Sequence, residues 1–312
     1  MGPHIVGNDG GPSDDTARRR RRVTAHVALL FMAMIWAINF SVAKIALRHL
    51  TPLAFNALRF PLASAALLVL LRRTGPVPMP APSDLGRVIF LGLLGNLIYQ
   101  QFFIFGLAQT RAGTASLLLA GTPLITALLS AGFGHERVRP RVWIGVGSTL
   151  AGIALVVLFG AQNAGGSRST VVGALLMLGA SVSWAFYTVG SRRLVDRYGP
   201  VPVTAWTLWI GSAGVLLVGV PDLMRAELGR LSAEIWLAVA YAGVLSVGAA
   251  YLIWYNGVRE LGNTRTSIYS NLVPAAALVV AWLWLGETPT AGQLAGAATI
   301  IGGVTLAQSK RS

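Results

Sequence analysis

The stretch TAHVALLFMAMIWAINFSVAKIA, residues 24–46, decides the fold class. Its one lysine or arginine is Lys44, close to its end, and it contains no acidic residue. A membrane-crossing helix needs about 20 mainly apolar residues, so the stretch predicts a transmembrane helix. A cleavable secretory signal would have a shorter apolar region, of about 7–15 residues, closed by a small-residue cleavage site. We therefore expect this stretch to be retained as the first span.

Nine more apolar segments of similar length follow, separated by short breaks that contain Pro, Gly or charged residues. The ten predicted spans are 24–46, 52–71, 86–108, 113–133, 141–159, 170–190, 201–220, 234–256, 263–285 and 290–308. Strands of a membrane β-barrel would be about half as long and would alternate in hydrophobicity. The expected fold is therefore an all-α integral membrane protein with ten transmembrane helices.

The composition supports this class and excludes two others. Hydrophobic residues make up 54% of the 312 residues and charged residues only 12%, yet the formal net charge is +14. Soluble domains carry about 25% charged residues, so this chain could not cover a soluble surface. A nucleic-acid-binding protein would be rich in charge, with its basic residues clustered on one face. We expect membrane lipid around the chain and no nucleic acid partner.

The positive charges indicate how the spans are oriented. If the N-terminus is cytoplasmic, eighteen of the 25 Lys and Arg residues fall on the cytoplasmic side, five on the opposite side and two within spans. Positive residues concentrate in cytoplasmic loops. We expect a bacterial-type inner (plasma) membrane location with both termini cytoplasmic. Residues 1–23, with the basic run Arg18 to Arg22, are expected to form a disordered cytoplasmic tail.

The second half of the chain repeats the first. A shift of 151 residues, or of 148 for the first two spans, aligns similar residues at equivalent places in the two halves. The aligned pairs include Gly106/Gly257, Ser116/Ser267, Pro123/Pro274, Glu136/Glu287, Trp36/Trp184, Pro52/Pro200 and Lys44/Arg192. The expected repeats are 24–160 and 170–308. Because each holds five spans, the second would be inverted in the membrane, a design typical of transporters that work by alternating access.

The same residues resemble a known family. The motifs are Trp36-Ala37-Ile38-Asn39-Phe40, Ala57-Leu58-Arg59-Phe60, the stretch from Gly106 to Ser116, Pro123 with Glu136, and the counterparts Gly257, Ser267, Pro274 and Glu287-Thr288-Pro289. Their order resembles the EamA-type repeats of the drug/metabolite transporter superfamily, over residues 25 to 308. The resemblance implies transport of small metabolites, often export of amino acids, through a cavity between the halves. The aromatic amino acid exporter branch looks most similar, because its cavity is also rich in Trp and Tyr.

Ionisable residues inside a membrane are costly and therefore mark functional sites. All eleven acidic residues fall in tails or breaks, so neither a carboxylate proton relay nor a carboxylate-rich cation site is expected. Arg59 lies roughly 10 Å into the second span, at 1.5 Å per residue. It either reaches the membrane surface or the carbonyls of a helix end, or it meets a substrate carboxylate and gates the external side. Lys44, nearer the interface, is interpreted as reaching the surface, and contact with substrate is the alternative.

Polar and aromatic side chains near the span centres are the candidates for substrate binding. They are Trp36, Asn39, Tyr99, Gln100, Trp184, Tyr187 and Asn271. A deep indole or phenol needs a hydrogen-bond partner in protein or in a watery cavity, so these rings either line a cavity or pack helices together. The amides similarly either join helices or bind substrate. Trp143, Trp236, Trp282 and Trp284 lie near span ends and are interpreted as headgroup-belt residues.

Two prolines occupy equivalent mid-span positions. A proline inside a helix frees a carbonyl four residues earlier and bends the helix. Pro123 and Pro274 are therefore candidate hinges, or simple bends for packing. The small-residue patterns at Gly292/Gly296 and Ser148/Gly152 predict close helix contact instead of binding.

Catalysis finds little support in the sequence. There is no Cys, and the four His residues lack the spacing of a metal site, so no metal and no cofactor is expected. We expect a transporter that is not an enzyme and that can act as a monomer, exporting small metabolites such as amino acids, aromatic ones included. The alternatives are a carrier of other small metabolites or drugs, or of nucleotide sugars or organic phosphates. An intramembrane enzyme is the least supported alternative.

Overall fold

The computed structural model describes residues 12–72, 77–132, 140–163, 168–261, 266 and 269–308. Glu136 and Ser267 of the repeat pattern lie outside these residues. The described residues contain helices and no strand. The α-helices are α1 Pro12–Ala46, α2 Pro52–Arg72, α3 Pro82–Gly92, α4 Tyr99–Gln109, α5 Ala112–Leu119, α6 Thr122–Gly132, α7 Pro140–Asn163, α8 Arg168–Tyr198, α9 Pro200–Arg225, α10 Ala233–Ala240, α11 Ala250–Leu261, α12 Leu272–Leu285 and α13 Ala291–Gln308.

The helices match the ten predicted spans. Among the described residues, six helical segments are long and apolar enough to cross a membrane, and they correspond to spans one, two, three, six, seven and eight. Shorter apolar helices lie at the positions of the other four spans, within Ala112–Thr126, Trp143–Phe159, Leu272–Leu285 and Ala291–Leu306. The prediction of an all-α, multi-span membrane protein is confirmed.

The first helix is longer than the predicted span. α1 begins at Pro12, so residues 12–23, which were expected to belong to a disordered tail, are helical. Proline suits the first position of a helix, and Pro12 occupies that position here. Arginine is a good helix former, so the basic run extends the helix beyond its membrane-crossing part.

The third and eighth spans contain a π-helical segment. In the third span, Leu93–Ile98 joins α3 to α4, and in the eighth span Tyr241–Ala249 joins α10 to α11. The two segments end at residues 151 apart, which is the shift that relates the two halves. π-Helical turns are rare and are frequently found at functional sites. Their equivalent placement indicates a shared feature of both halves.

The fourth and ninth spans are interrupted at equivalent places. α5 ends at Leu119, and a two-residue turn precedes α6, which has Pro123 as its second residue. In the ninth span, Asn271 forms a turn just before α12, which has Pro274 as its third residue. Both prolines therefore lie in the first turn of a half-helix, where a missing N–H costs nothing.

The packing of the helices follows a two-fold pattern. α1 packs against α11 and α12 of the second half, and the equivalent helix α8 packs against α4, α5 and α6 of the first. α2 packs against its counterpart α9, and α7 packs along its counterpart α13. The main contacts of the bundle therefore join one half to the other.

Contacts between the breaks show which of them share an end of the bundle. The hydroxyl of Thr51, between spans one and two, donates to Asp222, between spans seven and eight, at 2.6 Å. At the other end, Tyr198, after span six, donates to Asp84, at the start of span three, at 2.8 Å. The helices α1 and α8 consequently end at opposite ends of the bundle.

Glycines permit the close approach of α7 and α13. A Cβ atom added to Gly303 would lie 2.8 Å from the carbonyl oxygen of Gly145, and one added to Gly292 would overlap the ring of Phe159. Such distances are shorter than side chains tolerate, so the two helices touch along their backbones. The predicted role of these small residues in helix contact is confirmed.

Candidate functional site

Arg59 is the largest fully buried side chain of the described residues, with 1% of its surface exposed. It lies on α2, and its Nε donates to Oδ1 of Asn56, one turn earlier on the same helix, at 2.9 Å. Its Nη2 donates to Oε1 of Gln100 on α4 at 2.6 Å. In this conformation the guanidinium reaches neither the membrane surface nor, among the described residues, the carbonyls of a helix end. The interpretation of Arg59 as a residue that makes one of those two contacts is therefore excluded for this conformation.

Aromatic rings surround this guanidinium. The centroids of the Phe55, Phe60 and Phe103 rings lie 5.1, 5.3 and 5.8 Å from its Cζ. Within the part of the chain that the structure describes, no carboxylate oxygen lies within 4.0 Å of it. Arg59 is thus a buried cation held by neutral acceptors and ring faces.

The aromatic candidates Tyr99, Trp184 and Tyr187 form one cluster beside this cation. The ring centroids of Tyr99 and Trp184 are 5.0 Å apart, and those of Trp184 and Tyr187 are 5.1 Å apart. Tyr99 also stacks on Phe103, at 6.1 Å, which connects the cluster to Arg59. The cluster combines residues of the first half, on α4, with residues of the second half, on α8.

Tyr187 is the buried member of this cluster, whereas Tyr99 and Trp184 are half-buried. Its hydroxyl shares a hydrogen bond of 3.0 Å with Oγ1 of Thr207 on α9. Its ring fills the space opposite Gly95, where an added Cβ would come within 2.4 Å of the ring. Gly95 lies in the π-helical segment of the third span, so the absence of a side chain there lets α8 approach the segment.

Trp36, the counterpart of Trp184 in the first half, belongs to a second cluster, which joins α1 to the eighth span. Its indole Nε1 donates to the carbonyl of Ser246 in the second π-helical segment, at 2.9 Å, and its ring lies 5.8 Å from that of Trp254. In return, the hydroxyl of Tyr241 donates to the carbonyl of Ile35 at 3.0 Å. These reciprocal bonds tie α1 to the eighth span.

The three amide candidates lie in different surroundings. Gln100 contacts Arg59, as described above. Asn39 is 6% exposed, and its Oδ1 has no hydrogen-bond partner among the described residues. Asn271 is half-buried in the turn before α12. Asn39 therefore keeps an unused acceptor in a buried position, where such groups are normally satisfied.

Pro123 frees the carbonyl of Leu119, as the sequence predicts. The hydroxyl of Thr122 donates to this carbonyl at 2.7 Å and lies 3.0 Å from Oγ of Ser181 on α8. The freed carbonyl is therefore occupied in this conformation. The fourth span therefore contacts α8 at the point where the span is interrupted.

Lys44 binds a helix end. Its Nζ donates to the carbonyls of Leu107, Ala108 and Thr110 at 2.8, 3.0 and 2.6 Å. These carbonyls lie at the C-terminus of α4, where backbone acceptors lack helical partners and a positive charge is favourable. Lys44 thus fastens the end of the first span to the end of the third.

Glu287 is a residue whose role the sequence did not reveal. Its carboxylate accepts hydrogen bonds from the backbone N–H groups of Ala112 and Gly113, at 3.0 and 3.1 Å. These two N–H groups have no acceptor within α5, because they lie at its N-terminus. The N-terminus of a helix also favours a negative charge. Asn56, the partner of Arg59, was also missed, although its position three residues before Arg59 placed both on one helix face.

The described residues form no candidate metal centre. Among residues 12–72, 77–132, 140–163, 168–261, 266 and 269–308, no group of three or more His, Asp or Glu side chains could hold a metal ion. An open apolar groove of about 320 Å³ lies between α2 and α9, lined by Ser64, Ala65, Leu68 and Trp209. None of the predicted site residues lines this groove.

The fold defines a polytopic helical membrane protein whose polar cluster lies where its two halves meet. The profile of the EamA-like transporter family matches the chain twice, at residues 23–158 and 171–308. The chain therefore belongs to the EamA-like transporter family, as its sequence motifs indicated.

Three relatives are similar over nearly their whole length. The uncharacterized transporter YdfC of Bacillus subtilis is 30% identical, over 94% of this chain and 93% of the relative. A "probable terminal-alkyne amino-acid exporter" of Streptantibioticus cattleyicolor is 29% identical, over 89% and 91%. A "probable amino-acid metabolite efflux pump" of Salmonella typhimurium is 27% identical, over 89% and 92%.

A protein of known crystal structure shares the fold. It matches with a TM-score of 0.65 and 24% sequence identity, over 91% of this chain and 96% of the other. Since the identity is low, the match concerns the arrangement of the helices alone.

Proposed function

We propose that this transporter exports small metabolites, above all amino acids and aromatic ones included, across the inner membrane by alternating access. The observation that carries the proposal is the position of Trp36 and Trp184. They occupy equivalent places in the two halves, and each packs against the other half: Trp36 on Trp254 and Trp184 on Tyr99. A site at the interface of two inverted halves is typical of transporters that work by alternating access.

The chemistry of the cluster suits an amino acid. Tyr99, Trp184 and Tyr187 offer ring faces to an apolar side chain. Two of the relatives are named for amino-acid export or efflux, which supports the same class of substrate. Nucleotide sugars or organic phosphates would need several cations in the site, and Arg59 is the one cation in this cluster of described residues.

The conformational part of the proposal concerns the interrupted spans. Pro123 and Pro274 lie at the breaks in the fourth and ninth spans, so these breaks are the proposed hinges. Rocking of the halves would move α5 and α6, which pack on α8, and α12, which packs on α1. The proposed orientation, with both termini in the cytoplasm, follows the distribution of positive charges.

Counterflow tests the proposal directly. The purified chain is reconstituted in proteoliposomes loaded with one unlabelled compound, and entry of labelled phenylalanine, tryptophan, leucine, alanine and a nucleotide sugar is measured. We expect exchange of amino acids and none of the nucleotide sugar. Exchange of the nucleotide sugar alone would replace the proposed substrate class, and no exchange of any amino acid would contradict it.

A further inference from the structure

We propose that Arg59 is a carboxylate-binding subsite, so that the transporter selects substrates with a free carboxylate group. The inference rests on the proposed function, because it names the substrate group that the same site recognises. It starts from the unused donors of the guanidinium. Arginine has five N–H donors. One on Nε is bonded to Asn56 and one on Nη2 to Gln100.

The remaining three donors are available to a carboxylate. Nη1 and the second proton of Nη2 find no acceptor among the residues that the structure describes. Adjacent Nη1 and Nη2 protons bind the two oxygens of a carboxylate side by side. Asn56 and Gln100 hold the guanidinium plane in place, so the free edge is preoriented for a planar anion.

Among the residues that the structure describes, the charge also has no counter-ion. A buried cation without a partner is strongly unfavourable, and neutral acceptors offset only part of that cost. Phe55, Phe60 and Phe103 exclude water from the guanidinium and supply only weak cation–π attraction. One monoanionic group is enough to neutralise the site. A dianionic phosphate would leave an excess negative charge in it.

The equivalent place in the second half is neutral, which fixes the orientation of a substrate. An added Cβ at Gly243 would lie 2.6 Å from the carbonyl oxygen of Arg59, and one at Gly92 would lie 3.0 Å from that of Thr207. Arg59 and Thr207 are 148 residues apart, so they occupy the same position in the two halves. Thr207 binds Tyr187 instead of an anion. The carboxylate end therefore faces the first half.

The test compares acids with their uncharged derivatives in the counterflow assay. Phenylalanine, or whichever panel amino acid exchanges, competes with its own amide and methyl ester. We expect the acid to compete at least about tenfold better, since hydrogen bonds to charged groups are strong. Arg59→Gln should remove this preference, and Arg59→Lys should retain part of it. The matched control is Arg230→Gln, at an exposed surface pair.

Each result of these experiments either supports or contradicts the carboxylate-binding subsite. Equal competition by acid and amide in the wild-type protein contradicts the subsite, even if amino acids are transported and the proposed function stands. If Arg59→Gln does not fold, the wild-type comparison still decides. If no amino acid exchanges, thermal stabilisation by 3-phenylpropionate tests the subsite alone. Protection of the wild type but not of Arg59→Gln supports it, and equal or absent protection overturns it.

A separate observation concerns the two ends of the bundle. Lys44 uses all three of its N–H donors on the carbonyls at the end of α4. Its counterpart Arg192 is exposed, and no hydrogen bond of its side chain is found within the described residues. The carbonyls equivalent to those of Leu107 and Thr110 belong to Val258 and Leu261, at the end of α11.

We infer that Lys44 and Arg192 are alternating latches, by which we mean that each binds a helix end in one state of the transport cycle and releases it in the other. In this structure Lys44 closes the end that we propose to be external. In the opposite state of the cycle, the two halves exchange conformations, Lys44 releases α4, and Arg192 binds the end of α11. Inverted repeats work by such an exchange.

Single-cysteine labelling tests the latches without knowledge of the substrate, because the chain has no cysteine of its own. Ala112→Cys is buried at the Lys44 end. Labelling by a membrane-impermeant maleimide should rise severalfold when Lys44→Met is added. Arg48→Met, an exposed charge at the same end, should have no effect, and Lys44→Arg should restore protection. Arg192→Met should lower labelling. Equal labelling of the Lys44→Met and Arg48→Met proteins would overturn the latch.

Discussion

Gly152 on α7 and Gly296 on α13 lie directly against each other. A Cβ atom added to Gly152 would come within 2.7 Å of the carbonyl oxygen of Gly296, and one added to Gly296 within 2.8 Å of that of Gly152. The obstructing atoms belong to backbone, which cannot rotate away. These two residues therefore set the separation of the fifth and tenth spans.

The first prediction follows from this contact. Gly152→Ala should lower the free energy of unfolding by about 1–3 kcal/mol, the usual cost of an inserted methyl group in a packed contact. Thermal unfolding in detergent measures it. Gly147→Ala is the matched control on the same helix, because its Cβ would meet no atom within 4 Å. Equal melting temperatures for both variants would contradict the contact.

The second prediction concerns the cap formed by Glu287. Glu287→Ala leaves the N–H groups of Ala112 and Gly113 without their carboxylate, and loss of a helix cap costs about 0.5–2 kcal/mol. We expect a lower melting temperature, with Glu287→Gln between the two. Glu227→Gln, at an exposed pair with Arg230, should leave the melting temperature unchanged. A Glu287→Ala protein with the melting temperature of the wild type would show that the cap does not contribute to stability.

The third prediction concerns the cluster between the halves. Trp184→Ala removes the ring that packs on both Tyr99 and Tyr187, so amino-acid exchange should fall about tenfold or more while the protein stays folded. Trp284→Ala serves as the comparison, because that ring is 56% exposed on the outer surface. Normal exchange by a folded Trp184→Ala protein would remove this cluster from the proposed site.

The fourth prediction concerns the break at Pro123. Alanine there would supply an N–H to the Leu119 carbonyl and allow α5 and α6 to join into one stiffer helix. Maximal exchange should slow severalfold with little change in apparent affinity. Pro82→Ala, at the first position of α3, should be neutral because no helical N–H is needed there. A wild-type rate for Pro123→Ala would argue against a hinge.

The fifth prediction concerns energy coupling. No acidic residue falls deep within the predicted spans, so the chain offers no carboxylate relay for protons. An imposed pH gradient should change the initial rate of amino-acid exchange by less than about twofold. Strong acceleration by the gradient would require a proton site elsewhere.

The sequence predicted what depends on local composition. Segment length and hydropathy located all ten spans, and the prolines marked the breaks in the fourth and ninth. The helical start at Pro12 was missed because the basic run was interpreted by its charge, although arginine favours helix. Hydropathy also gave no sign of the π-helical segments, which depend on how neighbouring helices pack.

The surroundings of Arg59 were only partly predictable. Its position in the span gave its depth but not the direction of the side chain, so surface contact and burial remained alternatives. That choice depends on Gln100, which is distant in sequence and comes close only when α4 packs against α2. Glu287 and Ala112 are separated by 175 residues, and no local pattern connects them.

The π-helical segments at Leu93–Ile98 and Tyr241–Ala249 bear on the history of the chain. A π-helical turn accommodates an additional residue in a helix, and removing one residue would rotate everything after it by about 100°. In the third span, such a deletion would turn Tyr99 away from Trp184. Both halves hold this rare feature at the same place, so its simplest origin is a single insertion inherited by both copies. An insertion already present in a five-helix unit before its duplication would account for both π-helical segments.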